Sequence, residues 1–338
     1  MSDEPLFKPL RLGHCDLKHH AIMAPLTKIR STWDHTPGPC VKDSPQAGDY
    51  NNVPGIWNEE QAKAWKDVTN AVHGKGSFIF CQLWALGRIA GDAKSVENLK
   101  SSSAVAISSE FEEPKELSGD EIQQYIKDYA NVARNAIAAG FNAVEIHGAN
   151  GYLIDQFWQD KVNRRNDKYG GARFALEATK AKKVSMRLST WSTGQGMRMQ
   201  DPVPQSSHIV SELKKLHIAY LHLVESRTAG TSAVDAIYST LTRENDSFVE
   251  LWSTEAPIIL AGGFDAVKAK KVLEQTYTAE NVCIAFGRYC VSNPDLPFRW
   301  QKGLELQPYE RKTFYRPNSE EGYTTYAFSE RKRQRSRL

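Results

Sequence analysis

The chain has 338 residues, 41% hydrophobic and 25% charged, the profile of a soluble globular protein able to bury a sizeable core. Its formal charge of +3 sits largely in the tail at Arg331, Lys332, Arg333, Arg335 and Arg337, which leaves the body without a field for nucleic acid, and no apolar run is long enough to span a bilayer. The five cysteines, Cys15, Cys40, Cys81, Cys283 and Cys290, show neither zinc nor redox spacing; they read as reduced thiols of an intracellular protein with no metal site.

Residues 1–20 are a lead-in segment. Ala21 to Ala24 form a first strand stopped by Pro25, with Leu26-Thr27 at its exit. Ser31 to Trp57 is rich in Pro, Gly, Asp and Asn, shows no apolar run of strand length and no helical period, and is loop. Asn58 and Gln61 resemble a capping box before a helix in which Ala62, Trp65, Val68, Thr69 and Val72 recur up to Gly74. Ser77 to Trp84 is a buried strand. Ser118 with Glu121 opens a second helix whose Ile122, Tyr125, Ile126, Tyr129, Ala133, Ala136 and Ile137 share one face up to Gly140.

Ala143, Val144 and Ile146 then form an apolar run that suits a buried parallel strand, periodicity alone leaving a buried helix segment open. His147, Asn150 and Tyr152 follow where such a strand emerges, so that an imidazole, an amide and a phenol could converge on one small molecule. A short helix follows near Arg173 to Lys182, then a strand from Val184 to Leu188. Ser206 to Leu216 is amphipathic and Ile218 to Val224 alternates as a strand. Asp246 to Trp252 is helical, Pro257 to Ala261 is a strand closed by Gly262-Gly263, Asp265 to Gln275 is helical, and Val282 to Phe286 is the last strand, closed by Gly287-Arg288.

Strands of this length alternating with helices specify parallel βαβ units, and over this length the natural closure is a single α/β domain, a TIM-type (β/α) barrel spanning residues 1–315, followed by a C-terminal extension and basic tail at 316–338. Only seven strands are found where a standard barrel has eight. The shortage is local: the second strand and its preceding helix are missing from Ser31 to Trp57. At the other end, Gly-Gly after one strand and Gly-Arg after the next would set backbone N–H groups beside a guanidinium. Either pair alone is an ordinary turn; together they suit a phosphate.

APLT at 24–27, NVPGIW at 52–57, CQLWALGR at 81–88, HGANGYLIDQF at 147–157, the N-x-R-x-D-x-Y-G-G run from Asn163 to Gly171, MRLS at 186–189, ILAGGF at 259–264, FGR at 286–288 and NPDLPFR at 293–299 resemble the old yellow enzyme family of FMN-dependent ene-reductases, in order over nearly the whole chain. The resemblance implies FMN across the mouth of a TIM barrel, reduced by NADPH or NADH, with hydride passing to the β-carbon of an α,β-unsaturated carbonyl compound such as an enone or quinone. It assigns His147 and Asn150 to the substrate carbonyl oxygen, Tyr152 to protonation of the α-carbon, and Tyr315 to the substrate mouth. An ordinary phenol, with a pKa of about 10, keeps its proton at neutral pH and suits that donor role. Thr27, with Pro25 and Leu26, matches the flavin-edge segment; Gln82 and Arg187 match the groups on the flavin pyrimidine; Gly262, Gly263, Phe286, Gly287 and Arg288 match the phosphate end.

The chain departs from the family between APLT and NVPGIW, where a helix and strand are absent, and again after Gly171. Such a loss leaves two strand edges unpaired or forces a seven-stranded closure, and it removes one wall of the flavin pocket. Two alternatives therefore stand beside a working reductase: a flavin-poor or inactive relative acting as a binding protein, and a mis-spliced chain that does not fold. The expected state is a monomer or homodimer, in the cytoplasm or, because Ser336-Arg337-Leu338 resembles the S-K-L address, in the peroxisome.

Overall fold

The apolar runs become eight parallel strands: β1 (Ala21–Met23), β2 (Val41–Lys42), β3 (Phe80–Trp84), β4 (Ala143–Gly148), β5 (Val184–Leu188), β6 (Leu221–Val224), β7 (Ile258–Ala261) and β8 (Val282–Phe286). This computed structural model describes residues 4–27, 29–31, 35, 41–42, 52–92, 99–170, 181–226, 244–253, 256–277 and 281–335. The strands form one sheet in the order β1-β8-β7-β6-β5-β4-β3-β2, which is the circular order of a TIM-type α/β barrel cut between its first two strands. Among the described residues, β1 and β2 are the two edges.

The segment from Ser31 to Trp57, expected to supply no strand, supplies one of two residues. Val41 and Lys42 pair with Leu83 and Trp84 of β3. Two residues are too few to show a period in sequence, which is why the strand is invisible there. Among the described residues the second barrel unit is represented by this two-residue strand, with no helix between β1 and β2. The helix expected near Arg173 to Lys182 falls mostly outside the described residues, as does Ser336-Arg337-Leu338.

Alternation along the strands divides two cores. Val144, Ile146, Met186, Leu221 and Leu223 face outward and pack with Trp65, Ala133, Ala136, Leu213 and Phe248 of the surrounding helices. Those helices are α1 (Glu59–His73), α2 (Gly119–Ala138), α3 (Leu153–Trp158), α4 (Val203–Lys215), α5 (Asp246–Trp252) and α6 (Ala266–Lys271). The Ser118–Glu121 box caps α2 in both directions, the Glu121 N–H reaching the Ser118 hydroxyl at 3.2 Å and the Ser118 N–H reaching the Glu121 carboxylate at 2.8 Å. At α1 the Asn58 side chain accepts from the Gln61 N–H, but the Gln61 carboxamide closes on the Trp57 N–H, one residue upstream of the box register.

Inward-facing Ile259, Ala261, Cys283, Ala285 and Tyr220 form the second core, inside the barrel. The lead-in segment contributes an antiparallel hairpin, Leu10–Leu12 with Cys15–Leu17, whose Leu12 joins that inner core at the N-terminal end of the strands. Residues beyond 315 lie against the barrel: the Arg30 guanidinium donates to the carbonyls of Thr313 (2.7 Å), Phe314 (2.9 Å) and Ser319 (2.6 Å) and sits over the Tyr323 ring. Among the described residues no helix is long and apolar enough to cross a membrane.

Candidate active site

Parallel strands all end on one face, so the side chains after β3, β4 and β5 are gathered at one mouth. His147, next to last in β4, is buried with its ring 5.0 Å from that of Tyr152. Tyr152 meets Trp84, at the end of β3, edge-on at 4.6 Å, and Trp84 lies 6.4 Å from His147. Burial, and then the positive charge of Arg187, push the His147 pKa down to about 3, so its imidazole is neutral throughout the physiological range. Its Nδ1 is buried and has no hydrogen-bond partner among the described residues. A neutral, unpaired imidazole beside a phenol can bind a carbonyl oxygen and move a proton.

Asn150 reaches this mouth on a left-handed turn, with φ of 58°. Its N–H donates to the Ser189 hydroxyl at the end of β5 (2.6 Å), and the neighbouring Gly151 N–H donates to the Asp155 carboxylate of α3 (2.8 Å). Asp155 is buried, and burial raises its pKa to about 6 despite the bonds from Gly151 and Gln159 and the charge of Arg88.

Beneath the mouth runs a layer of inward-facing polar groups. Strand register aligns Gln82 with Glu145, His147 with Arg187, and Arg187 with His222. Glu145 accepts from Gln82 Nε2 at 2.6 Å and from His222 Nδ1 at 2.8 Å. Burial alone would raise the Glu145 pKa, but His222, through its charge first and its hydrogen bond second, with the Arg187 charge and the Gln82 bond, outweighs it and holds the carboxyl down to about 2. Burial, the largest influence, lowers the His222 pKa against the pull of Glu145, and because a carboxylate only accepts, His222 Nδ1 carries the proton in that bond. Because a carboxylate only accepts, the Gln82 amide must turn its nitrogen to Glu145, which leaves its oxygen for other donors.

At the far end of the mouth Gly262 and Gly263 follow β7 with φ of 121° and 63°. Gly287 follows β8, and a Cβ there would meet Leu26 at 3.4 Å, so the half-buried Pro25-Leu26-Thr27 segment runs beside the glycine. Arg288 donates to the Tyr309 hydroxyl at 3.0 Å and lies over that ring. The Phe286 side chain faces the outer core and meets Trp300 edge-on at 4.6 Å, while its carbonyl accepts from the Ala24 N–H. Tyr315 is 50% exposed on the C-terminal segment.

Sequence reasoning passed over Trp84, Glu145, His222 and Gln156. Trp84 stood within a quoted motif and Glu145 within an apolar run; the available signal was a charged residue two before His147, on the same face of the strand.

A barrel with an imidazole, an amide, a phenol and a guanidinium at its strand ends, and glycines closing its last two strands, is the plan of a TIM-type enzyme. The family model of the NADH:flavin oxidoreductase / NADH oxidase family matches residues 5–307. The chain is 46% identical to chanoclavine-I aldehyde reductase of Penicillium roqueforti and 44% identical to a probable inactive reductase of Epichloe festucae var. lolii. These alignments cover 96% of both chains in the first case, and 98% of this chain and 97% of the relative in the second. The first alignment runs over 360 positions, more than the 338 residues of this chain, so the relative has residues for which this chain has no counterpart. The crystal structure of old yellow enzyme from Pichia sp. AKU4542 superposes with a TM-score of 0.85 at 31% identity, covering 98% of this chain and 95% of that one. The chain belongs to the old yellow enzyme family of FMN-dependent NAD(P)H oxidoreductases.

The residues present fit that cofactor. The acceptor oxygen of Gln82 suits a hydrogen-bonding heterocycle, the Arg187 charge suits an electron-rich ring, the Arg288 guanidinium after Gly287 suits a phosphate, and the unpartnered His147 Nδ1 is left for a substrate.

Proposed function

We propose that the protein reduces the C=C bond of α,β-unsaturated carbonyl compounds, with NADPH or NADH as reductant. The reading rests on one observation above all, the neutral and unpartnered imidazole of His147 with its ring 5.0 Å from that of Tyr152 at the end of β4. Bound FMN would supply hydride transfer, from the nicotinamide to the β-carbon of the alkene. Thr27, Gln82, Arg187, Gly262, Gly263, Gly287 and Arg288 are the residues assigned to hold it, with Pro25, Leu26 and Phe286 contributing the adjoining backbone. His147 and Asn150 hold the carbonyl oxygen and stabilise the negative charge that gathers on it. Tyr152 gives its proton to the α-carbon and is reprotonated from solvent. The Penicillium relative is named for an aldehyde, which makes an α,β-unsaturated aldehyde the substrate class to try first, before enones and quinones. This reading assigns Tyr315 to the substrate side of the mouth.

An absorbance spectrum of the purified protein tests this reading. A flavin band bleached by NADPH under nitrogen and restored by an unsaturated aldehyde is the expected result, with restoration slowed in Tyr152→Phe. A second reading, a flavin-poor relative that keeps the scaffold, is favoured by the residues of the Penicillium relative for which this chain has no counterpart. Folded protein that stays colourless after soaking in FMN would establish it.

A further inference from the structure

The Gln156 side chain is fully buried, and every hydrogen-bonding position of its carboxamide is used. Its Nε2 donates to the carbonyls of Gly151 (2.7 Å) and Leu86 (3.1 Å). Its Oε1 accepts from the Arg88 N–H (3.2 Å) and the Ser101 hydroxyl (2.8 Å). The amide cannot be turned over, since two carbonyls only accept and a backbone N–H only donates. Gly151 lies between Asn150 and Tyr152, and Leu86 lies two residues past Trp84, the ring that meets Tyr152 edge-on. A single carboxamide therefore ties together the two segments that hold the phenol. The Leu153 N–H bond to the Ala85 carbonyl, at 3.0 Å, runs between the same two segments.

We propose that Gln156 is a positioning residue for proton transfer: through the Gly151 and Leu86 carbonyls it sets where the Tyr152 hydroxyl meets the substrate α-carbon. This rests on the reading of Tyr152 as proton donor and deepens it. Gln156→Glu conserves shape but offers one O–H when protonated, or a repelling negative charge when ionised, where two N–H groups met two carbonyls, so it loosens the Tyr152 turn from the β3 exit loop. Gln82, Arg187 and the glycine ends of β7 and β8 make no bond to Gln156 and stay in place. Displacing a reacting group by about 1 Å costs on the order of a hundredfold in rate.

The test uses FMN-loaded full-length protein and resolves the two half-reactions by stopped flow. In Gln156→Glu, reduction by NADPH should stay within about twofold of wild type, while reoxidation by 2-methylcyclohex-2-enone slows on the order of a hundredfold. In D2O, the product sampled at short times should also lose its preference for one face at the α-carbon, because solvent replaces the phenol as donor. Tyr152→Phe, run in parallel, supplies the pattern to be matched. If Tyr152→Phe is impaired while Gln156→Glu keeps both rate and facial preference, Gln156 has no positioning role. Equal slowing of both half-reactions in Gln156→Glu likewise overturns the proposal, since that is the mark of general damage. Tyr152→Phe behaving as wild type, or protein that holds no FMN, would remove the donor reading and this one with it. Should Gln156→Glu not accumulate folded, Ser101→Ala deletes one bond to the carboxamide oxygen. Its expected effect is a severalfold slowing confined to reoxidation, and an unchanged or evenly slowed enzyme would overturn the proposal.

Discussion

Gly87 and Gln156 are interlocked: a Cβ placed on Gly87 would overlap the carboxamide oxygen of Gln156, and Gly87 itself sits at φ of 60°. Glycine is required there twice over, once by the backbone and once by the approach.

Gly87→Ala should destabilise the fold by about 2–4 kcal/mol, combining the left-handed penalty with overpacking. Gly303 has nearly the same φ, 59°, with nothing within 4 Å of its Cβ position, so Gly303→Ala should cost only the backbone part, about 1–2 kcal/mol. Urea denaturation of the two variants isolates the close approach. Equal losses would show that the Gln156 contact costs nothing.

Glu145 is the acceptor on which Gln82 and His222 both depend. Glu145→Ala should lose about 3–5 kcal/mol, because the Arg187 charge and two buried donors are left without their counterpart. The carboxyl is held below its unfolded value of 4.5, so its stabilising contribution is complete above that pH and is lost as pH falls toward about 2. Denaturation followed between pH 5 and pH 2 should therefore show a smaller acid loss in Glu145→Gln than in wild type.

Asp155 has the opposite sign. Its folded pKa of about 6 lies above the unfolded 3.8, so the native state holds the proton more tightly and stability falls as pH rises through that interval. Asp155→Asn should flatten the stability profile between about pH 4 and pH 6. A slope unchanged by the substitution would show that the carboxyl is solvated in the native state. Beside it lies a cavity of about 20 Å³, walled also by Ser189 and Ser206, large enough for one water molecule.

Arg30 uses all three guanidinium nitrogens on carbonyls of the 313–319 segment. Lysine keeps the charge but not the fork, so Arg30→Lys should cost about 1–3 kcal/mol and expose the C-terminal segment to limited proteolysis. Cleavage between residues 311 and 329 at the wild-type rate would count against it.

How much of this was legible in sequence depends on the length of the signal. Five-residue apolar runs such as Val184–Leu188 and Val282–Phe286 were read to the residue, because parallel strands buried on both faces are continuous in composition. Val41–Lys42 was not, because two residues carry no periodicity and the pairing partner, β3, is supplied by the fold. At the mouth, His147 and Tyr152 were legible as polar groups at a strand exit. Glu145 and His222 were not, since their meaning lies in a bond between residues 77 positions apart. Gln156 fell on an apolar helix and resembled any buried polar residue until its four partners were in view.

The two-residue strand at Val41–Lys42 has a mechanical consequence. A closed ring of strands resists widening through hoop tension, whereas a slit ring yields by hinging, and the lips of the slit travel furthest. Among the described residues the lips are β1, which leads into Leu26 and Thr27, and β2, which borders Trp84. Amide exchange should be fastest along those two lips and slowest across β5 and β6, diametrically opposite, so whatever rides on Thr27 is held by the most compliant part of the scaffold.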